Sequence, residues 1–339
     1  MKPLVSILIP AYNSAAWIAQ TLRSAIAQSW ERKEIVVVND GSTDRTAAVL
    51  RQFESDNVRV FTQHNQGAAA ARNRAFAESR GDYIQWLDAD DLLAPDKIAK
   101  QMAIVERCST GRWLLSGAWG RFLYRHHQAE FVPSDLWCDL PPAEWMVRQM
   151  EQNVYMQTAT WLVSRELTGA AGPWDTMLLG DDDGEYFCRV LMVSDGVRFV
   201  PEAKVYYRAS GSNSLSYIGR SDRKLEAQWR SMKLHIAYVR SLDDGPRARA
   251  ACVRYLQTWL IYFYPERWDI VTRAEALANE LGGQLWVPCL SWKYSWIAAA
   301  FGWQLAKHAQ RVLPGARWAL RKTLDQALLH IEGRGSRSH

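Results

Sequence analysis

The stretch "LVSILIPAYNSAAWIAQTLRSAIAQ", residues 4–28, passes from a strand pattern to a helix pattern. Residues 4–10 are almost all apolar and rich in β-formers, whereas residues 14–28 carry apolar side chains at helical spacing behind Ser14, a residue suited to an N-cap. A strand that is apolar on both faces is typical of a parallel sheet covered by helices. This first unit therefore predicts an α/β fold.

The same strand–helix unit recurs before residue 110. The further predicted strands and helices alternate along the chain: 34–40, 43–53, 58–63, 67–79, 83–90 and 95–108. Repeated alternation of this kind predicts a Rossmann-like, mostly parallel sheet flanked by helices.

The pattern changes twice in the rest of the chain. Residues 112–205 are irregular, with short strands and an apolar pair, "VRFVP" and "KVYYR", and strand patterns end near residue 216. We predict an α/β domain over residues 1–215 and a helical C-terminal region over residues 216–330. The last stretch, "IEGRGSRSH" at 331–339, is interpreted as a cleavage-site and tag remnant.

Composition bounds the class of protein. The 339 residues are 48% hydrophobic and 23% charged, as in a soluble globular protein. The formal charge of +5 is small and no nucleic-acid module is recognised, so no nucleic-acid partner is predicted. Five cysteines without a Cys-x-x-Cys pair favour reduced thiols over zinc or disulfides. With no signal-peptide pattern and no apolar run near the ~20 residues of a membrane span, a cytoplasmic location is predicted.

Three carboxylates follow the fourth predicted strand, in "YIQWLDADD" at 83–91. In an extended chain Asp88 and Asp90 share one side, while Asp91 faces the other. Carboxylates at the carboxyl end of a strand form a hard-oxygen half-site for Mg²⁺ or Mn²⁺, to which a diphosphate adds further ligands. The alternative is that Asp91 caps the next helix and the other two are solvated.

Polar residues also follow the other strands, and parallel strands bring all of them to one edge of the sheet. Asp40 can accept hydrogen bonds from a base or ribose, or can belong to an ordinary strand–turn–helix connection. Arg72 can contact a nucleotide, organise the acidic edge, or lie on the surface. The remaining candidates at this edge are Pro10, Ala11, Tyr12, Asn65 and Gly67.

Three segments together resemble glycosyltransferase family 2, the inverting enzymes with the GT-A fold. They are "VSILIPAYNSAAWIAQTLRSAIAQSW", "EIVVVNDGSTDRT" and "NQGAAAARNRAFAESRGDYIQWLDADD". The resemblance is close over residues 3–110 and weaker to residue 215. It implies that Asp40 binds the base of a nucleotide sugar, usually uridine. It also implies that Asp88 and Ala89 lie near the ribose or metal, and that Asp90 ligates Mn²⁺ or Mg²⁺ on the diphosphate.

A second acidic run lies in "LLGDDDGEYFCRVL", residues 178–191. The resemblance, with Arg189 matched to a family arginine, implies that Asp183 is the general base, with Asp182 as the alternative. The chain departs from the family pattern in having three consecutive aspartates, and Gly184 where a bulky residue is common. The alternative is that acids simply favour a helix N-terminus, by about 0.3–1 kcal/mol each.

Two further segments carry weaker signals. The loop "VYYRASGSNSLS", 205–216, supplies Arg208, Ser212 and Ser214 as donors that could close over the diphosphate, or is only a connection. Residues 292–322 contain no acidic residue, and Trp292, Trp296, Ala299 and Trp303 recur on one helical side. This pattern favours a helix on an anionic membrane, although such tryptophans also pack in cores.

The sequence thus predicts an inverting, metal-dependent hexosyltransferase. It would move one sugar from a nucleotide sugar, UDP-linked in most relatives, to a hydroxyl of a glycan or lipid-linked acceptor in bacterial surface-polysaccharide synthesis. The predicted location is cytoplasmic, with peripheral attachment to the inner membrane face. An alternative is a catalytically inactive nucleotide-sugar-binding or scaffold protein. A dehydrogenase fits poorly because no Gly-x-Gly-x-x-Gly follows a strand.

Overall fold

A computed structural model of the chain describes residues 2–107, 111–209 and 221–335. One mixed sheet contains nine strands in the described part. They are β1 (Val5–Ala11), β2 (Lys33–Asp40), β3 (Val58–Gln63), β4 (Tyr83–Trp86), β5 (Leu92–Leu93), β6 (Trp113–Phe122), β7 (Glu130–Phe131), β8 (Leu162–Ser164) and β9 (Gly196–Arg208). Their order across the sheet is β3-β2-β1-β4-β8-β6-β9-β5, and β7 pairs with β6.

The helices of the described residues lie on both faces of this sheet and continue to the C-terminal region. They are α1 (Ile18–Ile26), α2 (Thr46–Leu50), α3 (Ala68–Glu78), α4 (Lys97–Arg107), α5 (Pro142–Gln152), α6 (Arg165–Ala171), α7 (Asp182–Val193), α8 (Asp222–Leu242), α9 (Pro246–Phe263), α10 (Trp268–Glu280), α11 (Trp292–Phe301) and α12 (Trp303–Gly335).

The first four predicted strands are present and pair in parallel, in the order β3-β2-β1-β4. Alternate side chains of β1 enter two different hydrophobic clusters, Leu8 on one face and Ile7 and Ile9 on the other. Burial on both faces explains why these strands read as unbroken apolar runs. The predicted fold class, an α/β sheet flanked by helices with a helical C-terminal region, is confirmed.

Beyond β4 the sheet becomes mixed. β8 is antiparallel to β4 and to β6, whereas β9 runs parallel to β6. The apolar pair expected as two short strands is one strand of 13 residues, β9, with a register shift opposite it between Gly117 and Trp119. A Cβ at Gly117 would lie 2.1 Å from the Ala203 carbonyl oxygen, so this close approach needs glycine.

Helices α8, α9 and α10 pack directly on the sheet domain. Their buried side chains, such as Trp229, Tyr255 and Val271, belong to the same hydrophobic cluster as Leu8 and Val36. The two parts of the chain on either side of residue 215 share this hydrophobic cluster, so the domain boundary near residue 215 remains a prediction. Helices α8 to α11 lie wholly within the region predicted to be helical, and α12 begins there.

The final helix, α12, runs through part of the stretch interpreted as a remnant. The Asp325 carboxylate accepts hydrogen bonds from the Tyr124 backbone nitrogen at 2.8 Å and from the Arg125 Nε at 2.7 Å. Arg125 also pairs with Glu332 at 2.8 Å. In the described part of the chain, no helix combines the length and apolar character needed to cross a bilayer.

Candidate functional site

The candidate site lies where the parallel strands β1, β2 and β4 end. Ala11 pairs in register with Asn39, and the Leu87 backbone nitrogen donates to the Leu8 oxygen at 3.0 Å. This register places Tyr12, Asp40 and Asp88 at the same edge, as the sequence predicts. Pro10 is partly buried, Ala11 is buried and Tyr12 is 51% exposed, so the tyrosine ring is the accessible group of that segment.

Asp40 is 2% exposed and organises the loop between β3 and α3. Its Oδ1 accepts hydrogen bonds from Gln63 Nε2 at 2.8 Å and from the Gln66 backbone nitrogen at 2.9 Å. Its Oδ2 accepts from the Gly67 backbone nitrogen at 2.8 Å. Three donors fix this carboxylate, so the side chain already has a structural role in the loop, and contact with a base stays a prediction.

Two glycines allow this loop to form. Gly41 has φ +69°, and a Cβ there would lie 2.7 Å from the Asn65 backbone nitrogen. Asn65 in turn donates from Nδ2 to the Asp40 carbonyl oxygen at 3.0 Å. Gly67, at φ +91°, precedes the first turn of α3. Positive φ angles at both positions explain the choice of glycine.

The three aspartates after β4 occupy different environments. Asp88 and Asp90 are partly exposed, and the Ala89 carbonyl oxygen accepts from Thr21 Oγ1 at 2.9 Å. Asp91 is fully buried and accepts from the Arg208 backbone nitrogen at 2.8 Å and from Gln157 Nε2 at 2.5 Å. Asp91 therefore ties the turn to β9 and does not cap α4, which begins at Lys97.

Arg208 completes this support. It ends β9, is 1% exposed, and donates from Nε to the Asp90 carbonyl oxygen at 2.8 Å. Its guanidinium also donates to Leu123 O and Gln20 Oε1 and stacks on Trp17 at 4.3 Å. Burial lowers the pKa of Arg208 to about 10. Its side chain faces inward, unlike a loop donor; Ser212 and Ser214 lie outside the described residues.

Arg72 joins the two acidic runs. It is 5% exposed, and its Nη2 donates to Asp88 Oδ1 at 2.8 Å while its Nη1 donates to Asp182 Oδ2 at 2.7 Å. The guanidinium lies over the Trp174 ring at 4.4 Å. Of the roles left open by the sequence, the structure shows the one in which Arg72 organises the acidic edge. The alternative prediction, that the Arg72 side chain lies on the surface, is wrong because the residue is buried.

Each aspartate of the second acidic run faces a different partner. Asp181 accepts from Ser231 Oγ at 2.5 Å, Asp182 accepts from Arg72, and Asp183 Oδ2 accepts from Thr158 Oγ1 at 3.0 Å. Asp182 and Asp183 lie in the first turn of α7, where the helix dipole favours negative charge. This turn delivers two carboxylates to the site edge.

Burial sets the electrostatics of these groups. It raises the pKa of Asp182 to about 6, against the opposing effect of the Arg72 charge. Burial alone would lower the pKa of Arg72, but the carboxylates of Asp182 and Asp88 outweigh it and raise that pKa. Burial, reinforced by the charges of Asp90 and Asp88, raises the pKa of Asp91 well above its usual range. The site thus concentrates carboxylates around the buried guanidinium group of Arg72.

The comparisons with known proteins agree with this arrangement. Residues 6–167 match the model of Glycosyl transferase family 2. This part of the chain belongs to that family. One relative, an uncharacterized glycosyltransferase of Haemophilus influenzae, is 41% identical over 103 residues, which are 30% of this chain and 41% of the relative. The Bacillus subtilis glycosyltransferase TuaG, named for teichuronic acid biosynthesis, is 41% identical over 104 residues, with the same two coverages.

Solved structures extend the likeness of fold beyond the family 2 region. Staphylococcus aureus TarS 1–349 in complex with UDP has a TM-score of 0.62, 16% identity and 91% coverage of both chains. The Pyrobaculum calidifontis mannosyltransferase PcManGT, with GDP-Man and Mn²⁺, has a TM-score of 0.53, 20% identity, and coverages of 96% and 86%. These likenesses support the GT-A fold. The curated relatives named above are matched over only about two fifths of their length.

The family 2 resemblance implies a bound divalent cation. The side chains at the site can therefore be compared with the ligands that such a cation requires. Asp88 and Asp90 supply carboxylate oxygens, the ligands that Mg²⁺ and Mn²⁺ prefer. Within the described residues, no group of three or more His, Cys, Asp or Glu side chains is arranged to hold a metal. The two aspartates therefore fit a cation only as a half-site that a ligand's phosphates would complete.

Several site residues were not found from the sequence. Thr158, Gln157 and Trp174 lie in the irregular segment between the two acidic runs, where neither period nor motif marks them. What these residues share is that the fold places their segment beside β4, because β8 pairs antiparallel with that strand. Sequence spacing does not reveal such a pairing.

Proposed function

We propose that this chain is a glycosyltransferase that moves one sugar from a nucleotide sugar to a hydroxyl group with inversion. One observation carries the proposal. Arg72, buried at the carboxyl edge of the sheet, holds Asp88 of the first acidic run and Asp182 of the second. A site for an activated donor and a carboxylate able to accept a proton are thereby brought together, as single displacement requires.

The donor side of the site supports a nucleotide ligand. Tyr12 is exposed beside the preformed loop of Asp40, Asn65 and Gly67. UDP is the nucleotide we propose, because a structural neighbour of 0.62 TM-score is a UDP complex. TuaG, named for teichuronic acid biosynthesis, supports an acceptor in bacterial surface polysaccharide, either a glycan or a lipid-linked glycan.

Asp183 is the residue we assign as general base. It accepts a hydrogen bond from Thr158, whereas Asp182 is committed to Arg72. Asp183 would take the proton of the acceptor hydroxyl as that oxygen forms a bond to the anomeric carbon. The bond from that carbon to the diphosphate breaks on the opposite face, so configuration inverts. The diphosphate leaves with the bonding electron pair.

Asp88 and Asp90 are the residues we assign to Mn²⁺ or Mg²⁺. When bound, such an ion supplies charge stabilisation for the leaving diphosphate. Arg208 and Asp91 hold the turn that presents both carboxylates. Because Arg208 and Asp91 are buried, they hold this turn in place before a ligand binds. Binding then has to order fewer residues, which lowers its entropic cost.

The test combines nucleotide binding with turnover. Purified protein is titrated calorimetrically with UDP and GDP in Mn²⁺, and hydrolysis of matching nucleotide sugars is then followed. Asp183→Asn should abolish transfer and hydrolysis while retaining nucleotide binding, and Asp90→Ala should weaken metal-dependent binding. Asp56→Asn, at an exposed turn, is the matched control and should behave as wild type. Full turnover by Asp183→Asn would refute the base assignment.

The same experiment decides the alternative of an inactive binding or scaffold protein. Such a protein would bind the nucleotide with Asp40 in place, yet would release no sugar with any donor, and Asp183→Asn would change nothing. The raised pKa of Asp182 beside Arg72 and Asp88 favours the active enzyme, because strongly perturbed carboxylates clustered at one edge are typical of catalytic sites.

We also propose that the chain works at the cytoplasmic face of a membrane. Trp292 and Trp296 of α11 are 79% and 63% exposed, and no acidic residue lies between residues 281 and 324. An exposed aromatic face amid cations suits an anionic lipid surface. Trp303 does not share that face, since it packs on Tyr264 with ring centroids 4.9 Å apart. Lys307 is buried beside Glu266.

Liposome co-sedimentation tests this location. Binding should be stronger to vesicles containing phosphatidylglycerol than to phosphatidylcholine vesicles, and the double variant Trp292→Ala, Trp296→Ala should lose it. Val132→Ala, an equally exposed apolar residue outside the C-terminal region, should not. No binding of wild type to either vesicle would remove the membrane proposal and leave the transferase proposal standing.

A further inference from the structure

Asp181 lies just before α7 and contacts the helical C-terminal region. It adopts φ 56°, a left-handed conformation that aspartate tolerates better than most residues. Its Oδ2 accepts from Ser231 Oγ of α8 at 2.5 Å, and His235 Nδ1 lies 3.8 Å from the same oxygen. His235 is buried and also contacts the Tyr255 hydroxyl at 3.1 Å.

Gly184 makes this contact possible. A Cβ added at Gly184 would lie 2.2 Å from Asp181 Oδ1 and 3.2 Å from His235 Cε1. A side chain at this position would therefore require the Asp181 carboxylate to shift, which would disturb its hydrogen bond with Ser231. Asp181, the additional aspartate of the run, and Gly184 are both departures from the family pattern, and they belong to one arrangement.

The first turn of α7 is consequently held from two sides. Asp181 is bound by α8, while Asp182 and Asp183 are bound by Arg72 of α3 and by Thr158. Three successive carboxylates thus point to three different elements. With both flanks fixed, the position of the Asp183 carboxylate is set by the helical region as well as by the sheet.

We propose that Asp181, Gly184 and Ser231 form a clamp that positions Asp183 for proton acceptance. These are positioning residues, because the contacts described for them are with one another and with His235 of α8, and not with Asp88 or Arg72. The catalytic role of this clamp rests on the proposed function. The contacts between Asp181 and α8 are observed independently of that function. The clamp makes α8, outside the family 2 match at 6–167, a necessary part of the active enzyme.

The clamp predicts a split between turnover and donor binding. Ser231→Ala removes one hydroxyl from a helix that tolerates alanine, and should lower kcat between about 10- and 100-fold through a small displacement of Asp183. The KM of the donor should change less than twofold, because the donor loop is held by Asp40. Ser231→Thr keeps the hydroxyl and should restore much of kcat. Ser241→Ala, on the same helix but exposed, is the control.

Hydrogen–deuterium exchange gives a readout that needs no turnover. In full-length Ser231→Ala and Gly184→Ala, amides at the start of α7 should exchange faster than in wild type or Ser241→Ala. Unchanged exchange would overturn the clamp, and faster exchange with unchanged kcat would overturn its positioning role. If wild type transfers no sugar, the proposed function fails. Exchange then still decides whether the clamp exists.

Discussion

Replacing Arg72 with methionine removes the charge that two carboxylates share while keeping much of the side-chain volume. Asp88 and Asp182 would then face each other without a cation, in a place where Arg72 is 5% exposed. Breaking a buried pair by removing one partner costs about 3–5 kcal/mol. We expect Arg72→Met to lower the free energy of unfolding by that amount.

The second step, in a double-mutant cycle with Arg72→Met, removes the charge of Asp182. Asp182→Asn alone should cost less than about 1 kcal/mol, because burial already disfavours the carboxylate and the amide oxygen can still accept from Arg72. Added to Arg72→Met, the same change should recover about 1–3 kcal/mol by removing one unpaired charge. The two variants should therefore be strongly non-additive.

Urea unfolding followed by tryptophan fluorescence measures each free energy. Arg74→Met is the matched control on α3, because Arg74 is 37% exposed and its ion pair with Glu78 spans 3.8 Å. Exposed pairs contribute about 0–1 kcal/mol. A loss below about 1 kcal/mol for Arg72→Met, equal to that of the control and additive with Asp182→Asn, would refute the reasoning about a shared buried charge.

Three further changes test other parts of the site. Gly41→Ala should destabilise the protein by about 1 kcal/mol or more, since φ is +69° and the Cβ would meet Asn65, and should raise the nucleotide Kd in calorimetry. Asp91→Ala should cost about 1–3 kcal/mol for each buried donor left unpaired, measured by urea unfolding. The folded pKa of Asp182 is raised to about 6 from an ordinary 3.8, so the folded state holds that proton more tightly. The contribution of Asp182 to stability should fall by up to about 3 kcal/mol as pH rises through this window, and this contribution is the difference between the pH profiles of wild type and Asp182→Asn.

Each of these has an outcome that contradicts it. Gly41→Ala with wild-type stability and affinity would mean that the loop does not need the left-handed turn. If Asp91→Ala stabilised the protein, its carboxylate would be an uncompensated cost and not an anchor of β9. Parallel stability profiles of wild type and Asp182→Asn between pH 4 and pH 6 would show that the pKa of Asp182 is not raised by burial.

The parallel half of the fold was predictable because it depends on local order. Each strand of that half is a short apolar run, each is followed by a turn and helix, and the parallel arrangement then brings Tyr12, Asp40 and Asp88 to one edge. The antiparallel β8 was not predictable in the same way. Its three residues, Leu162–Ser164, carry too little periodicity to specify pairing with Tyr83–Trp86, a strand far earlier in the chain.

The roles of single charged residues were less accessible. Asp90 and Asp91 are adjacent in the sequence, yet one is partly exposed and the other is fully buried. Arg72 and Asp182 are separated by 110 positions, and they meet only in the folded chain, where the Arg72 guanidinium also lies over Trp174. Charge type predicts that such residues need partners, whereas the identity of the partner is a property of the folded chain.

The loop of Asp40 also limits how this protein can handle phosphate. Many nucleotide-binding folds seat a phosphate on the exposed amides at the start of a helix. Just before α3, the amides of Gln66 and Gly67 are already bound by the Asp40 carboxylate. Those two amides are occupied before any nucleotide arrives. In our proposal, a cation held by Asp88 and Asp90 at the tip of β4, on the same edge of the sheet, supplies the counter-charge for the diphosphate instead.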